Sequence, residues 1–252
     1  MAKIIEKKYP TVNRVTDAQR IGMVKEIFST ITVKYDFLNH FLSLRRDVAW
    51  RRFAVKKMWF FQTYRFLDVA TGTCDLAIEA ALHYRDIQVV GLDFVQEMME
   101  LGKKKIAGKE LWPRIKMLTG DALNIPFPSN SFDVAGIAFG IRNIPDKTRA
   151  LKEMMRVVVP GGQVMVLEMT SPKTRFFKGV YHIYLSKILP YLARAFSSNP
   201  NAYYYLGDSI MNFIAPHDFA HLMEQAGLVG VEMYPLTLGV TYLHIGYKPG
   251  AE

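Results

Sequence analysis

Asp68, Thr71, Gly72, Asp93, Asp121 and Ala122 are the residues whose types and spacing most suggest chemistry. The first three lie in Phe66-Leu67-Asp68-Val69-Ala70-Thr71-Gly72-Thr73-Cys74-Asp75, where an apolar strand runs into a small-residue turn and then a helix, Leu76 to Tyr84. Such a turn lets backbone N–H groups approach a ligand closely. Asp93 closes a second apolar run, Val89 to Leu92, about 20 residues on, where folds of this kind place an acceptor for two ribose hydroxyls. Asp121 and Ala122 follow a third strand in Thr119-Gly120-Asp121-Ala122. The carboxylate suits an adenine amino group and the small alanine leaves room for the ring. Asp121 also reads as a cap or turn residue, because Gly-Asp is a common turn dipeptide.

The spacing alone fits either a dinucleotide or S-adenosylmethionine. A dinucleotide turn usually reads G-x-G-x-x-G, so that a pyrophosphate sits on a helix N-terminus. Here the small positions are Ala70, Gly72 and Cys74, flanked by Asp68 and Asp75. Those carboxylates disfavour phosphate and favour a ligand carrying a sulfonium and an α-amino group. A plain Rossmann-like turn without activity remains the alternative.

These residues need a sheet to hold them. Helices are predicted over Ala18 to Thr30 and Asp36 to Trp59, then a first strand, Tyr64 to Ala70. Strands follow at Ile87 to Leu92, Ile115 to Thr119, Phe132 to Phe139 and Gln163 to Met169, with helices at Val95 to Ala107 and Lys147 to Val157. The alternation predicts an α/β fold with a mostly parallel sheet covered on both faces. A closing pair, Val229 to Leu236 and Thr241 to Tyr247, is joined by a turn near Leu238-Gly239 and should pair antiparallel, giving one reversed strand at the sheet edge.

The chain has 252 residues, half of them hydrophobic, which suits one large α/β domain with additions. No apolar run reaches the ~18 residues of a membrane span, and the charged start is no signal peptide, so a cytoplasmic protein is expected. The single cysteine, Cys74, excludes an internal disulfide, and the six histidines lack metal-ligand spacing. A net charge of +9 points to an acidic partner. Basic residues at Arg45, Arg46, Arg51, Arg52, Lys56 and Lys57 interleave with Trp50, Phe53, Trp59, Phe60 and Phe61, a pattern suited to an anionic membrane surface or to a solvated helix face with a buried stripe. No RNA-binding signature is present, and no nucleic-acid partner is expected.

Longer motifs carry a family resemblance. Tyr35-Asp36-Phe37-Leu38-Asn39-His40-Phe41-Leu42-Ser43 followed by Trp50, then Phe139-Gly140-Ile141-Arg142-Asn143, then Arg156-Val157-Val158-Val159-Pro160-Gly161-Gly162 running into Leu167-Glu168, occur in that order. With Asp68-Val69-Ala70-Thr71-Gly72-Thr73, they resemble the UbiE-type class I methyltransferases, which C-methylate the quinol ring in ubiquinone and menaquinone biosynthesis. The resemblance covers nearly the whole chain. It implies the class I S-adenosylmethionine-dependent methyltransferase fold: a Rossmann-like, mostly parallel seven-stranded sheet with one antiparallel edge strand, N-terminal helices over 1–60 and a helical substrate cap over 173–214.

The resemblance further implies that Thr71, Asp93, Asp121 and Ala122 bind S-adenosylmethionine, that Asp68 and Gly72 shape the loop, and that Tyr35, Asp36, Arg142 and Asn143 face the reacting ring. Methyl transfer to carbon is an in-line displacement, which requires the ring carbon near the donor methyl and water excluded. A quinol hydroxyl has a pKa near ~10, and its deprotonation pushes electron density onto the ring carbon. Arg142 would stabilise that oxyanion while Tyr35 or Asp36 moves the proton through a water. The bland readings are a helix start for Tyr35-Asp36 and a loop anchor for Arg142-Asn143. His244 reads as structural, and Glu168 as either substrate-orienting or structural.

Phe176 to Phe213 is apolar and aromatic beyond what a minimal sheet needs. It suits a flat ring with an isoprenoid tail, or a dimer contact or plain core. The expected partner is therefore a polyprenyl quinol, most simply demethylmenaquinol with a benzoquinol as a second candidate, met at the inner membrane face; a homo-oligomer is also compatible. A lipid- or nucleoside-binding protein without turnover, or a paralogue for another small aromatic acceptor, are the other readings. Four positions depart from the family pattern: Cys74 replaces a glycine, Asp47 the histidine after Ser43, Val159 a basic residue, and Thr170 a serine. If position 74 needs a positive φ, the turn is strained.

Overall fold

The computed structural model describes residues 9–10, 15–30, 36, 40, 43–172, 174–189, 191, 199 and 201–250. Its centre is a seven-stranded sheet in the order β3-β2-β1-β4-β5-β7-β6. The strands are β1 (Arg65–Val69), β2 (Gln88–Asp93), β3 (Ile115–Thr119), β4 (Phe132–Ala138), β5 (Val158–Met169), β6 (Val229–Leu236) and β7 (Thr241–Tyr247). β1 to β5 run parallel, and β7 runs antiparallel to both β5 and β6. The reversed strand thus lies one place in from the edge, with β6 outside it.

Apolar runs such as Phe66-Leu67 and Val134-Ala135 lack polar alternation because helices cover both faces. One core, including Phe66, Ala77 and Ile115, lies on the side of α3 (Asp75–His83); the other, including Leu67, Leu151 and Phe219, lies under α5 (Lys147–Val157) and α8 (Pro216–Gln225). α4 (Gln96–Ala107) completes the crossover from β2 to β3. Helix α8 was not anticipated from sequence, although Pro216 at its first turn and buried Phe219, Ala220 and Met223 are sufficient signals.

The chain goes from β1 outward to β2 and β3, then returns to place β4 on the other side of β1. That reversal leaves a crevice at the carboxyl ends of β1 and β4.

Two helices precede the sheet, α1 (Asp17–Thr30) and α2 (Arg46–Val55). The expected unbroken helix from Asp36 to Trp59 is corrected: Leu44 and Arg45 have φ of 51° and 59°, a left-handed backbone that a right-handed helix cannot pass through. The link from α2 to β1 is pinned to the sheet. Buried Asp133 accepts from the backbone N–H groups of Gln62, Thr63 and Tyr64, and Gln163 Oε1 accepts from Trp59 N at 2.7 Å.

Between β5 and α8 lie α6 (Arg175–Ile183), a π turn (Tyr184–Ile188) and α7 (Asn201–Met211). Leu185, Leu189, Ala202 and Ile210 pack with Met23, Val24 and Ile27 of α1 in a third apolar cluster. Among the described residues no helix is long and apolar enough to cross a membrane.

Candidate active site

At the crevice the structure forms two chambers that share a wall. The first, a cavity of about 230 Å³, is lined by Asp68, Thr71, Gly72, Asp93, Asp121 and Ala122, six residues from the ends of β1, β2 and β3. α1 covers it with Ile21, Val24 and Phe28.

The β1 turn is drawn tight by carboxylates. Thr71 Oγ1 donates to Asp68 Oδ2 at 2.6 Å, and Ala77 N donates to the same oxygen at 3.1 Å. Gly72 N donates to Asp93 Oδ2 at 2.7 Å, while Asp93 Oδ1 accepts from Val95 N. Gly72 has φ 55°, a conformation suited to glycine, and a Cβ there would point into the chamber toward Met98. Asp121 has both roles considered from sequence: it lines the chamber and its Oδ1 accepts from Leu123 N at 2.9 Å, closing a turn.

Burial raises the Asp68 carboxyl to about 7, against the opposing hydrogen bonds from Thr71 and Ala77. Burial likewise raises Asp93, despite its backbone N–H donors. A chamber whose buried carboxyls resist ionisation gains from a bound cation, because the cation restores the charged form. The residues present therefore fit a sulfonium and ammonium ligand with a ribose, and fit a pyrophosphate poorly.

The second chamber, about 90 Å³, is lined by Trp50, Met169, Tyr184, Leu185, Leu189, Tyr203 and Tyr205, with Ser43, Asp47 and Arg142 as its polar groups. Phe28, Arg51 and Phe139 line both chambers and form the partition. The Arg51 guanidinium lies 5.2 Å from the Phe139 ring centre and pairs with Asp47 at 2.6 Å and Asp75 at 3.6 Å. Trp50 packs against the same ring in a tilted arrangement, 6.0 Å between centres.

Arg142 sits on a 3-10 turn (Ile141–Asn143) after β4 and is buried. Its Nη1 donates to Glu168 Oε1 at 2.6 Å and to Phe139 O at 2.5 Å, and its backbone N reaches Glu168 Oε2. The anchoring reading of Arg142 is therefore correct geometrically, and the same guanidinium also borders the second chamber. Asn143 lines the first chamber, and its Oδ1 accepts from Tyr205 OH at 3.0 Å.

Asp36, expected from sequence to face the acceptor, is bound to the cofactor-side turn. It accepts from Thr73 Oγ1 at 2.6 Å and from Lys105 Nζ at 2.9 Å, and Lys105 also binds Asp75. Asp36 thus latches the N-terminal segment onto the β1 turn and onto α4, and borders neither chamber. Tyr35 lies outside the described residues.

Asp47 supplies a carboxylate to the second chamber. Its carboxylate meets Ser43 Oγ at 2.6 Å, His40 Nδ1 at 2.7 Å and Arg51 Nη1 at 2.6 Å. Burial works to raise it, but the Ser43 hydroxyl, the Arg51 guanidinium and His40 outweigh burial and hold it below the usual carboxylate range. The sequence marked Asp47 only as a departure from a motif. His40, Ser43, Asp47 and Arg51 have the helical i, i+3, i+7 and i+11 spacing of one face, and that spacing was the signal available in the sequence.

Cys74 is buried at φ 65°, with its thiol pushed up to about 12 by burial. It is an inert packing group.

Comparison of folds places this architecture among S-adenosylmethionine-dependent methyltransferases. The methyltransferase SibL, in its apo form, matches with a TM-score of 0.60 at 17% identity over 85% of this chain, which spans 57% of the SibL chain. The fold is thus the class I methyltransferase fold. The model of the ubiE/COQ5 methyltransferase family matches residues 13–248. The chain belongs to that family. It is 44% identical over 226 residues to the ubiquinone/menaquinone biosynthesis C-methyltransferase UbiE of Geotalea daltonii, covering 89% of this chain and 96% of that one. It is 39% identical over 235 residues to the demethylmenaquinone methyltransferase of Deinococcus radiodurans, covering 93% and 96%.

Proposed function

We propose that this methyltransferase transfers a methyl group from S-adenosylmethionine to a ring carbon of a polyprenyl quinol, with demethylmenaquinol as the first substrate and the benzoquinol of ubiquinone synthesis as the second. The observation that carries the reading is the partition: an acid-lined chamber and an aromatic chamber meet across Phe28, Arg51 and Phe139. The names of the relatives support the reaction.

When bound, S-adenosylmethionine supplies an electrophilic methyl on a sulfonium. Asp93 accepts from the ribose hydroxyls, Asp121 from the adenine amino group beside Ala122, and Asp68 with Thr71 and Gly72 holds the loop against the methionine end. Trp50, Tyr203 and Leu185 sandwich the flat ring and exclude water. Arg142, fixed by Glu168 at the second chamber, stabilises the quinol oxyanion, while Asn143, fixed by Tyr205, stands on the cofactor side. Asp47, held ionised, orients His40 through Nδ1, and His40, whose side chain is 30% exposed and opens a route to solvent, takes the hydroxyl proton through a water. Helices α6 and α7 and the π turn after α6 serve as the substrate cap, and the enzyme works at the inner membrane face.

The test is methyl transfer from labelled S-adenosylmethionine to demethylmenaquinol, demethylated benzoquinol and a small phenol. Label in an extracted quinone, and none in the phenol, is expected. Cofactor binding without label in either quinol overturns the reading in favour of a protein without turnover.

A further inference from the structure

The element that encloses the acceptor chamber has a second face that the reaction does not use. Tyr184, Leu185 and Leu189, along the π turn and just beyond it, line the chamber. On the opposite side, Val180, Ile183, Ile188 and Tyr191 are exposed, Val180 by 53% and Tyr191 by 72%.

Leu189 N donates to Tyr184 O, the i→i+5 bond of a π turn. Within this stretch Leu185 and Leu189 are buried while Ile183 and Ile188 are exposed.

The charge around this row has one sign. From Met169 to Gly207 the chain contains no Asp or Glu, while it carries Lys173, Arg175, Lys178, Lys187 and Arg194. Lys178 and Lys187 are exposed beside the apolar row. A second copy of the same face would set these lysines against their equivalents, so the surface is a poor isologous contact. Apolar side chains at the centre with lysines at the rim match the headgroup region of an anionic bilayer.

We infer that the outer face of α6 and its π turn docks on an anionic lipid bilayer and sets the acceptor chamber against the membrane, so that a long-tailed substrate enters without crossing water. The substrate part of this inference rests on the quinol reading above; the docking part does not.

The experiment is flotation of the full chain with vesicles of phosphatidylglycerol and phosphatidylcholine, or of phosphatidylcholine alone, for the wild type, Val180→Asp/Ile188→Asp and Lys178→Glu/Lys187→Glu. The wild type is expected to float with the anionic vesicles and at least tenfold less with the neutral ones. Both variants should lose at least tenfold in anionic-vesicle binding while keeping the wild-type melting temperature and turnover on a quinol with a truncated, soluble tail. Turnover on a long-tailed quinol held in vesicles should fall with the binding. Unchanged flotation of both variants, or a wild type that does not float, overturns the inference. So does a dimer that Val180→Asp/Ile188→Asp converts to monomer, which would assign the face to a second copy. Absence of turnover on the soluble quinol in the wild type would count against the quinol reading alone.

Discussion

The sulfur of Cys74 occupies the space in front of Gly102: a Cβ on that glycine would lie 2.7 Å from Cys74 Sγ. The Cys74 thiol therefore finds room because α4 has no side chain facing it, while its φ of 65° remains a strained backbone. Gly102→Ala is expected to destabilise the wild type by about 1–3 kcal/mol through overpacking. In a Cys74→Gly background the sulfur is gone and the glycine penalty in a helix, about 1 kcal/mol, is relieved. With Met117 Cε at 3.1 Å and Thr73 C at 3.3 Å as the remaining neighbours, Gly102→Ala should then cost less than it does in the wild type. A denaturant double-mutant cycle measures the coupling; additive effects would sink the explanation.

The buried Arg142–Glu168 pair separates structure from chemistry. Arg142→Ala leaves Glu168 buried without its cation and should cost about 3–5 kcal/mol. Arg142→Met with Glu168→Gln keeps the volume and removes both charges, so its unfolding midpoint should return close to the wild type. Methyl transfer should stay depressed by about 10²-fold or more. Restored turnover in the folded double variant would reduce Arg142 to a loop anchor.

Asp68 predicts a pH dependence. Its folded carboxyl is raised to about 7, so its contribution to stability is full below pH about 4 and is lost as the pH rises through about 7. His244 acts in the opposite sense: burial lowers it to about 4, so its contribution is present above about 6.5 and is lost as the pH falls through about 4. Asp68→Asn should therefore make the loss of stability on acidification steeper between pH 7 and 4. A cationic cofactor favours the Asp68 carboxylate, so affinity for S-adenosylmethionine should rise as the pH increases through 7 in the wild type and rise less in Asp68→Asn, where Asp93 remains. Calorimetric titrations at pH 6 and pH 8 decide it.

Phe139 should matter more for turnover than for cofactor binding. Phe139→Ala opens the wall and removes the ring whose centre lies 5.2 Å from the Arg51 guanidinium. Single-turnover methyl transfer is expected to fall by about 10²-fold through lost alignment, with cofactor affinity changed far less. Equal losses in both would show that the ring serves the first chamber only.

How much of this site was legible follows sequence distance. Asp68, Thr71 and Gly72 share one turn, and Asp93, Asp121 and Ala122 follow the next two strands, so strand periodicity alone brings all six to one sheet edge. The partition was not legible. Phe28, Arg51 and Phe139 come from α1, α2 and the end of β4, and only tertiary packing brings them together. The Asp36 latch reaches Lys105 across 69 residues, and no local pattern reports such a pairing. The helix break at Leu44 and Arg45 is set by left-handed backbone at residues with no intrinsic preference for it.

Helix α1 touches both compartments: Ile21 and Val24 face the first, Ile27 the second, and Phe28 both. A single rigid element pressed on two ligands makes their affinities reciprocal, since whatever ordering of α1 the first ligand requires need not be supplied again for the second. Donor and acceptor should therefore bind with positive heterotropic coupling, and the demethylated donor left after transfer should hold the methylated quinol in place until one of the two departs.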